Sequence, residues 1–221
     1  MNFSFLNNTF VQFFEFVHQS ISLIFPSKNV SYGMAIILVT VIIRLILLPL
    51  NIKQTKSSIA MNELQPETKK IQDKYKNDPQ KAQQEIMKLY KEKGANPLSG
   101  CLPMLIQWPI FIALYYVFNN LQGISGVHFL WINDLAKRDI VLAVLSGITT
   151  YFSGALMMPA GNSAQAKQSA TMNISMSVFM IFISWSLRSA LVLYWVVNNL
   201  IQIAQTLVMK KMGIHKSTKN A

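Results

Sequence analysis

The 221 residues are 52% apolar and only 13% Asp, Glu, Lys and Arg, against roughly 45 to 50% and 25% in soluble proteins, so lipid is the expected solvent. Twenty basic and nine acidic side chains give a net charge of +11 but cluster in short stretches between long apolar runs, a layout that excludes a displayed nucleic-acid surface. One cysteine, Cys101, three widely separated histidines and the absence of phosphate-loop, HExxH and G-x-S-x-G motifs exclude an intrachain disulfide and leave metal, ATP-driven and hydrolytic chemistry without a home, and neither enzymatic activity nor a cofactor is expected.

Along residues 1–27, Phe10, Phe13, Phe14, Val17, Ile21 and Ile24 share one helical face, and Asn8, Gln12, Glu15, Gln19 and Ser22 share another. That pattern predicts an amphipathic helix in the membrane interface. A signal peptide is the competing reading, disfavoured by the absence of a basic residue before Lys28.

Five apolar runs follow, at 33–50, 102–118, 140–158, 172–187 and 189–209, each close to the ~20 residues that cross a bilayer as a helix. Between the first two, residues 52–97 are too charged for lipid. There Leu64, Thr68, Ile71 and Tyr75 repeat at helical spacing, as do Ala82, Ile86 and Leu89. Asp78 is placed to cap a helix opening at Pro79, with Gly94 and Pro97 closing it, so a helical hairpin turning near Asn77 is predicted.

Basic residues orient these runs. Ten lysines lie between Lys53 and Lys93, and Lys167, Lys210, Lys211, Lys216 and Lys219 belong to the same side, which is therefore cytoplasmic. Lys28, Lys137, Arg138 and Arg188 are left for the outside, giving an outer amino terminus and a basic inner tail at 210–221.

Arg44 stands out within the first run. It lies nine residues before Lys53, about 13 Å along a helix and close to mid-depth. A guanidinium there costs at least about 2.5 to 3.5 kcal/mol unless protein or water solvates it. No Asp or Glu occurs in any of the five runs, so a water-filled recess with polar walls is expected. Wall candidates are Gln107; Thr149, Thr150 and Ser153; Asn173, Ser175, Ser177 and Ser184; and Asn198, Asn199, Gln202 and Gln205. Gln107 and Asn198 rank first, with interhelical hydrogen bonding as the alternative; Gln202 shares a helical face with Asn198, and Trp195 divides between packing and a groove role. An anion transporter using Arg44 is the rival function, though the chain shows no internal repeat.

The arginine within VIIRLILLPL, the charged hairpin, NPLSGCLPMLIQWPIFIALYYVF, the outer FLWINDL and the late LVLYWVVNNLIQIAQ occur in an order that resembles the YidC/Oxa1/Alb3 family of membrane-protein insertases, in its shorter Gram-positive form. The resemblance covers about residues 30–210. One departure is Arg188, Ser189 and Ala190, where the family commonly carries a turn with proline and glycine.

The resemblance implies a five-span all-α protein of the bacterial cytoplasmic membrane, divided into an interfacial helix at 1–27, a first span at 28–51, the cytoplasmic hairpin at 52–97 and four further spans within 98–209. It implies an insertase and chaperone, functional as a monomer, that works without nucleotide hydrolysis, alone or beside the Sec translocon. Its partners would be nascent membrane proteins, membrane lipids and the ribosome. Arg44, Gln107, Trp195, Asn198 and Gln202 are the expected substrate-groove residues.

Overall fold

The computed structural model describes residues 3–95, 102–158 and 164–212. Pro97, Cys101, Lys216 and Lys219 lie outside the described residues. The helices are α1 (Phe3–Ile24), α2 (Lys28–Ile46), α3 (Leu48–Glu63), α4 (Gln65–Lys74), α5 (Pro79–Glu92), α6 (Leu102–Asn120), α7 (Ile140–Ala155), α8 (Ala164–Ser186) and α9 (Ser189–Lys211).

Among the described residues, three stretches are long and apolar enough to cross a membrane: Lys28–Ile46, Ala166–Ser186 and Ser189–Lys211. Ile140–Ala155 is apolar but shorter. The chain is thus a largely helical membrane protein.

The apolar stripe of α1 is spent mainly on the protein itself. Phe14, Val17 and Ile21 are buried beside Tyr32, Ala35 and Ile36 of α2 and Phe118 of α6, with the Phe14 and Phe118 rings meeting edge to face at 5.5 Å. Removing such side chains from water contributes about 1.5 to 3 kcal/mol each. Phe16, Leu23 and Ile24 remain exposed. His18 accepts or donates across the same seam, 3.0 Å from the Ser31 hydroxyl, and stacks on the Tyr32 ring. Burial pushes its pKa below the usual histidine value, with Glu15 opposing and Lys28 reinforcing the shift.

From Lys28 to Lys74 the backbone follows an almost unbroken helical path. Leu47 and Leu64, both right-handed helical, join α2 to α3 and α3 to α4. Pro49 and Pro66 sit in the first turns that follow, where a missing backbone N–H costs least. Helix α2 therefore ends before the apolar run does, and α3 carries the path from the end of that run into the first part of the region read as a hairpin. Asp78 caps α5 by accepting from the Lys81 amide at 3.0 Å. Leu64, Ile86, Tyr90 and Ala95 form a small core with Met61 and Ile71 against it.

The main core lies at the other end. The connection from α6 to α7 tucks Ile124, Val127, Ile132 and Leu135 among α1, α2, α6 and the start of α9, pinched by a reciprocal Phe129–Ile132 bridge. Gly33 lets the Phe129 ring lie directly on α2, where a Cβ would collide with it.

Two residues, Leu187 and Arg188, suffice to reverse the chain between α8 and α9. No proline or glycine is needed, because the orphan amides opening α9 find acceptors: Ser189 donates to the Lys137 carbonyl at 2.7 Å and Ala190 to that of Leu135 at 2.9 Å. Arg188 itself donates to the Phe118 carbonyl at 2.8 Å.

Helices α7 and α8 pack closely because Gly147 and Gly154 carry no side chain where Ile181 and Asn173 approach. At its far end α7 is tied to α9 and α3: Lys210 donates to the Leu156 carbonyl at 2.7 Å and Asn62 to that of Met157 at 2.8 Å. These bonds satisfy carbonyls that the helix terminus leaves free.

Candidate functional site

Arg44 stands near the end of α2, half-buried, with α9 opposite. On α9 the residues Tyr194, Asn198, Gln202 and Thr206 recur every four positions and so share one face. Arg44 Nε donates to Asn198 Oδ1 at 2.6 Å, Nη1 to Gln202 Oε1 at 2.6 Å and Nη2 to the Asn198 carbonyl at 2.7 Å. Three of the five guanidinium N–H donors are thus used by α9.

All three acceptors are neutral. They orient the fork and replace some lost hydration, but they do not cancel its charge. Gln202 Nε2 continues the row by donating to Thr206 Oγ1 at 3.2 Å.

Gln107 and Trp195 meet α9 or α7 at other points. Gln107 Nε2 donates to the Tyr194 hydroxyl at 2.7 Å, one helical turn from Asn198. Trp195 faces α7, donating from Nε1 to Thr150 Oγ1 at 3.0 Å while Phe111 meets its ring edge-on at 5.9 Å. Asn199 lies against the Thr149 and Thr150 hydroxyls at 3.3 and 3.0 Å; turned over, its amide oxygen also accepts from Trp195 Nε1 at 3.1 Å.

Other polar residues hold helices together. Ser146 and Ser184 hydroxyls meet at 2.8 Å between α7 and α8. Asn173 donates to the Tyr151 carbonyl at 3.1 Å, and Ser177 returns its bond to the Asn173 carbonyl at 2.7 Å. The polar side chains read as walls of one recess are therefore distributed over four helix seams, and only Asn198 and Gln202 touch Arg44.

Asn51, Gln54 and Thr55 escaped the sequence reading. They follow Arg44 by seven, ten and eleven residues on a nearly continuous helix, so they continue its face. Gln54 and Thr55 are buried. Asn51 Nδ2 and Gln54 Nε2 are buried without a hydrogen-bond partner among the described residues. The seven-residue spacing was the available signal, but polar residues beyond the apolar run read as ordinary surface.

Among the described residues no group of three or more His, Cys, Asp and Glu is placed to hold a metal. His18 and His128 lie in separate contacts, the latter 2.8 Å from the Asn29 amide.

Residues 24–217 match the family described as 60Kd inner membrane protein. A membrane protein insertase YidC of Clostridium tetani is 62% identical over 219 residues, covering 99% of this chain and 100% of the relative. This chain belongs to the YidC/Oxa1/Alb3 family. Membrane protein insertase MisCA of Bacillus subtilis is 46% identical over 193 residues, covering 85% of this chain and 73% of that one. A crystal structure of an active YidC insertase, with its first transmembrane domain resolved, superposes with a TM-score of 0.72 at 36% identity. It covers 90% of this chain, which spans 46% of its length.

Family membership makes the chain a multi-pass bacterial membrane protein with an insertase and chaperone role rather than an enzyme, working on nascent proteins at the membrane.

Proposed function

We propose that α2, α6, α7, α8 and α9 are five membrane spans, with the amino terminus outside and the basic tail inside. On this reading α1 lies in the outer interface and α4 and α5 form a cytoplasmic hairpin, a contact surface for the nascent chain or ribosome. Arg44, Asn198 and Gln202 line a hydrophilic groove open to cytoplasm and lipid, with Gln107 and Trp195 bracing its α9 wall. Through it, short hydrophilic segments of nascent proteins pass across the bilayer without nucleotide hydrolysis, alone or beside the Sec translocon, on a monomeric insertase.

The observation carrying this reading is the Arg44 clamp: a half-buried guanidinium held at 2.6 to 2.7 Å by neutral acceptors. A carboxylate partner would have neutralised it; amides leave a fixed positive charge that attracts an acidic segment in a medium of low dielectric. The asymmetry of the fold supports the same direction. Apolar side chains fill the end near the α8–α9 turn, whereas at the other Asn51 and Gln54 hold buried amide nitrogens with no partner among the described residues, groups that water entering a groove would satisfy. An apolar client segment then leaves sideways, driven by roughly 25 cal/mol per Å² of surface removed from water.

Thiol labelling tests it. Single cysteines at Asn51, Gln202 and Lys76, in a background lacking Cys101, should react with an impermeant reagent only in inside-out vesicles, and one at Lys137 only in right-side-out vesicles. Reaction at Lys76 from outside overturns the orientation; inertness of Asn51 and Gln202 from both sides overturns the open groove.

A further inference from the structure

The basic residues assigned to the outer face are few, yet three of the four gather in one place. Lys137, Arg138 and Arg188 all line one cavity of about 440 Å³, roofed by the α6–α7 connection and floored by the ends of α6 and α8. The positive-inside bias disfavours basic residues on that side, so their gathering calls for an anionic occupant.

Lys137 has a carboxylate neighbour, but the two arginines are not neutralised by theirs. Lys137 shares Asp134 at 3.6 Å, but that carboxylate also accepts from the Gly126 and Ala136 amides at 3.1 and 2.9 Å. Asp139 is committed to capping α7 through the Leu142 amide at 2.7 Å. Arg138 has no hydrogen bond or ion pair among the described residues, and Arg188 uses one nitrogen on the Phe118 carbonyl. Two guanidinium groups thus border one cavity with no carboxylate bonded to either.

Free phosphate would need only this cavity. A second hollow of about 490 Å³ continues from it between α6 and α8, sharing Tyr115, Ser186 and Leu187 and lined further in by Trp108, Ile112 and Phe182. From Tyr115 to Trp108 is seven residues, a drop of about 10 Å into the hydrocarbon. The pair of hollows has the shape and polarity of a headgroup site joined to a chain groove.

We propose that this joined site binds an anionic glycerophospholipid of the outer leaflet. Its phosphate sits among Arg138, Arg188 and Lys137, and one acyl chain lies along the α6–α8 groove. Arginine forks suit a phosphate, while the exposed aromatic and branched side chains below suit hydrocarbon. The leaflet rests on the orientation proposed above; the lipid selectivity does not.

The test uses the full chain, stripped of lipid in neutral detergent. Phosphatidylglycerol and phosphatidylcholine of matched chains are titrated separately, with bound lipid counted by native mass spectrometry. Phosphatidylglycerol should bind at least about tenfold more tightly. K137Q/R138Q should lower its affinity roughly 25-fold, at about fivefold for each basic residue, and weaken phosphatidylcholine, whose phosphate is already balanced by its own choline, several-fold less, while an unchanged unfolding midpoint in detergent reports a folded protein. Ile112→Trp, which fills the groove, should weaken both lipids.

Equal affinities for the two lipids in the wild type, or an unchanged phosphatidylglycerol affinity in K137Q/R138Q, overturn the proposal. So does displacement of phosphatidylglycerol by millimolar inorganic phosphate, which would assign the cavity to the free ion. Detergent binding carries no information on sidedness, so failed orientation in the thiol labelling and failed lipid selectivity here are separate results.

Discussion

Arg44→Ala separates what the arginine contributes to folding from what it contributes to insertion. The substitution removes three hydrogen bonds of 2.6, 2.6 and 2.7 Å, worth roughly 4 to 5 kcal/mol at about 1.5 kcal/mol for each bond from a charged donor. It also removes an insertion cost of about 2.5 to 3.5 kcal/mol. The net loss is about 1 to 2 kcal/mol, a fraction of the about 5 to 15 kcal/mol that holds a folded protein, so the variant should accumulate in the membrane.

Insertion should respond by client. A carboxylate passing about 7 Å from the guanidinium gains about 2 kcal/mol at an effective dielectric near 20, equivalent to roughly thirtyfold in rate. Clients with acidic tails should therefore slow by tenfold or more (about 1.4 kcal/mol for each tenfold). Neutral-tailed clients, which meet only a drier groove, should slow less than about threefold by the same scale. Arg44→Lys keeps the charge and should retain most insertion, although an ammonium cannot span all three acceptors. The assay is insertion of the two client types into vesicles with protein levels matched. Equal activity of wild type and Arg44→Ala on both types refutes the attraction argument; equally severe losses on both assign Arg44 to hydration or groove shape.

Replacing residues 67–89 with a short flexible linker removes most of α4 and α5 but leaves every proposed span intact; the protein should still reach the membrane while inserting clients more slowly, and undiminished activity across a client panel makes the pair a mere connection. Gly147→Leu forces a side chain against Ile181 and the Ser177 carbonyl; overpacking of this kind costs about 1 to 3 kcal/mol, to be read as a lowered unfolding midpoint in detergent. His18 titrates below its ordinary value of 6.5 because docking of α1 buries it. The docked state therefore binds its proton less readily than the undocked one, so the contribution to docking is complete above pH 6.5 and declines as pH falls through the depressed pKa. Hydrogen exchange in α1, corrected for intrinsic rates, should lose protection between pH 7.5 and 5.5, and His18→Gln should flatten that dependence.

Much of the architecture was legible in one dimension because it rests on local rules. Long charge-free apolar runs must become helices in lipid, and Asp78 before Pro79 announces a capped start that the structure reproduces. Arg44 was conspicuous for the same reason, since its cost depends on depth and neighbours along its own helix. What lay beyond reach was pairing. Arg44 and Asn198 are 154 positions apart, and nothing along the chain distinguishes Asn198 from Gln107 as its acceptor; the packing of α2 on α9 selects the former, while α6 delivers Gln107 to Tyr194.

The stripe of α1 shows the same limit in apolar form. Its periodicity requires an apolar partner, yet lipid and the α2–α6 surface satisfy that requirement equally, and only the assembled helices decide that Phe14, Val17 and Ile21 face protein. Amphipathicity and depth are properties of a helix considered singly; which neutral amide holds the arginine, which hydroxyls bind helix to helix and where Lys137, Arg138 and Arg188 converge depend on crossings that no single helix encodes.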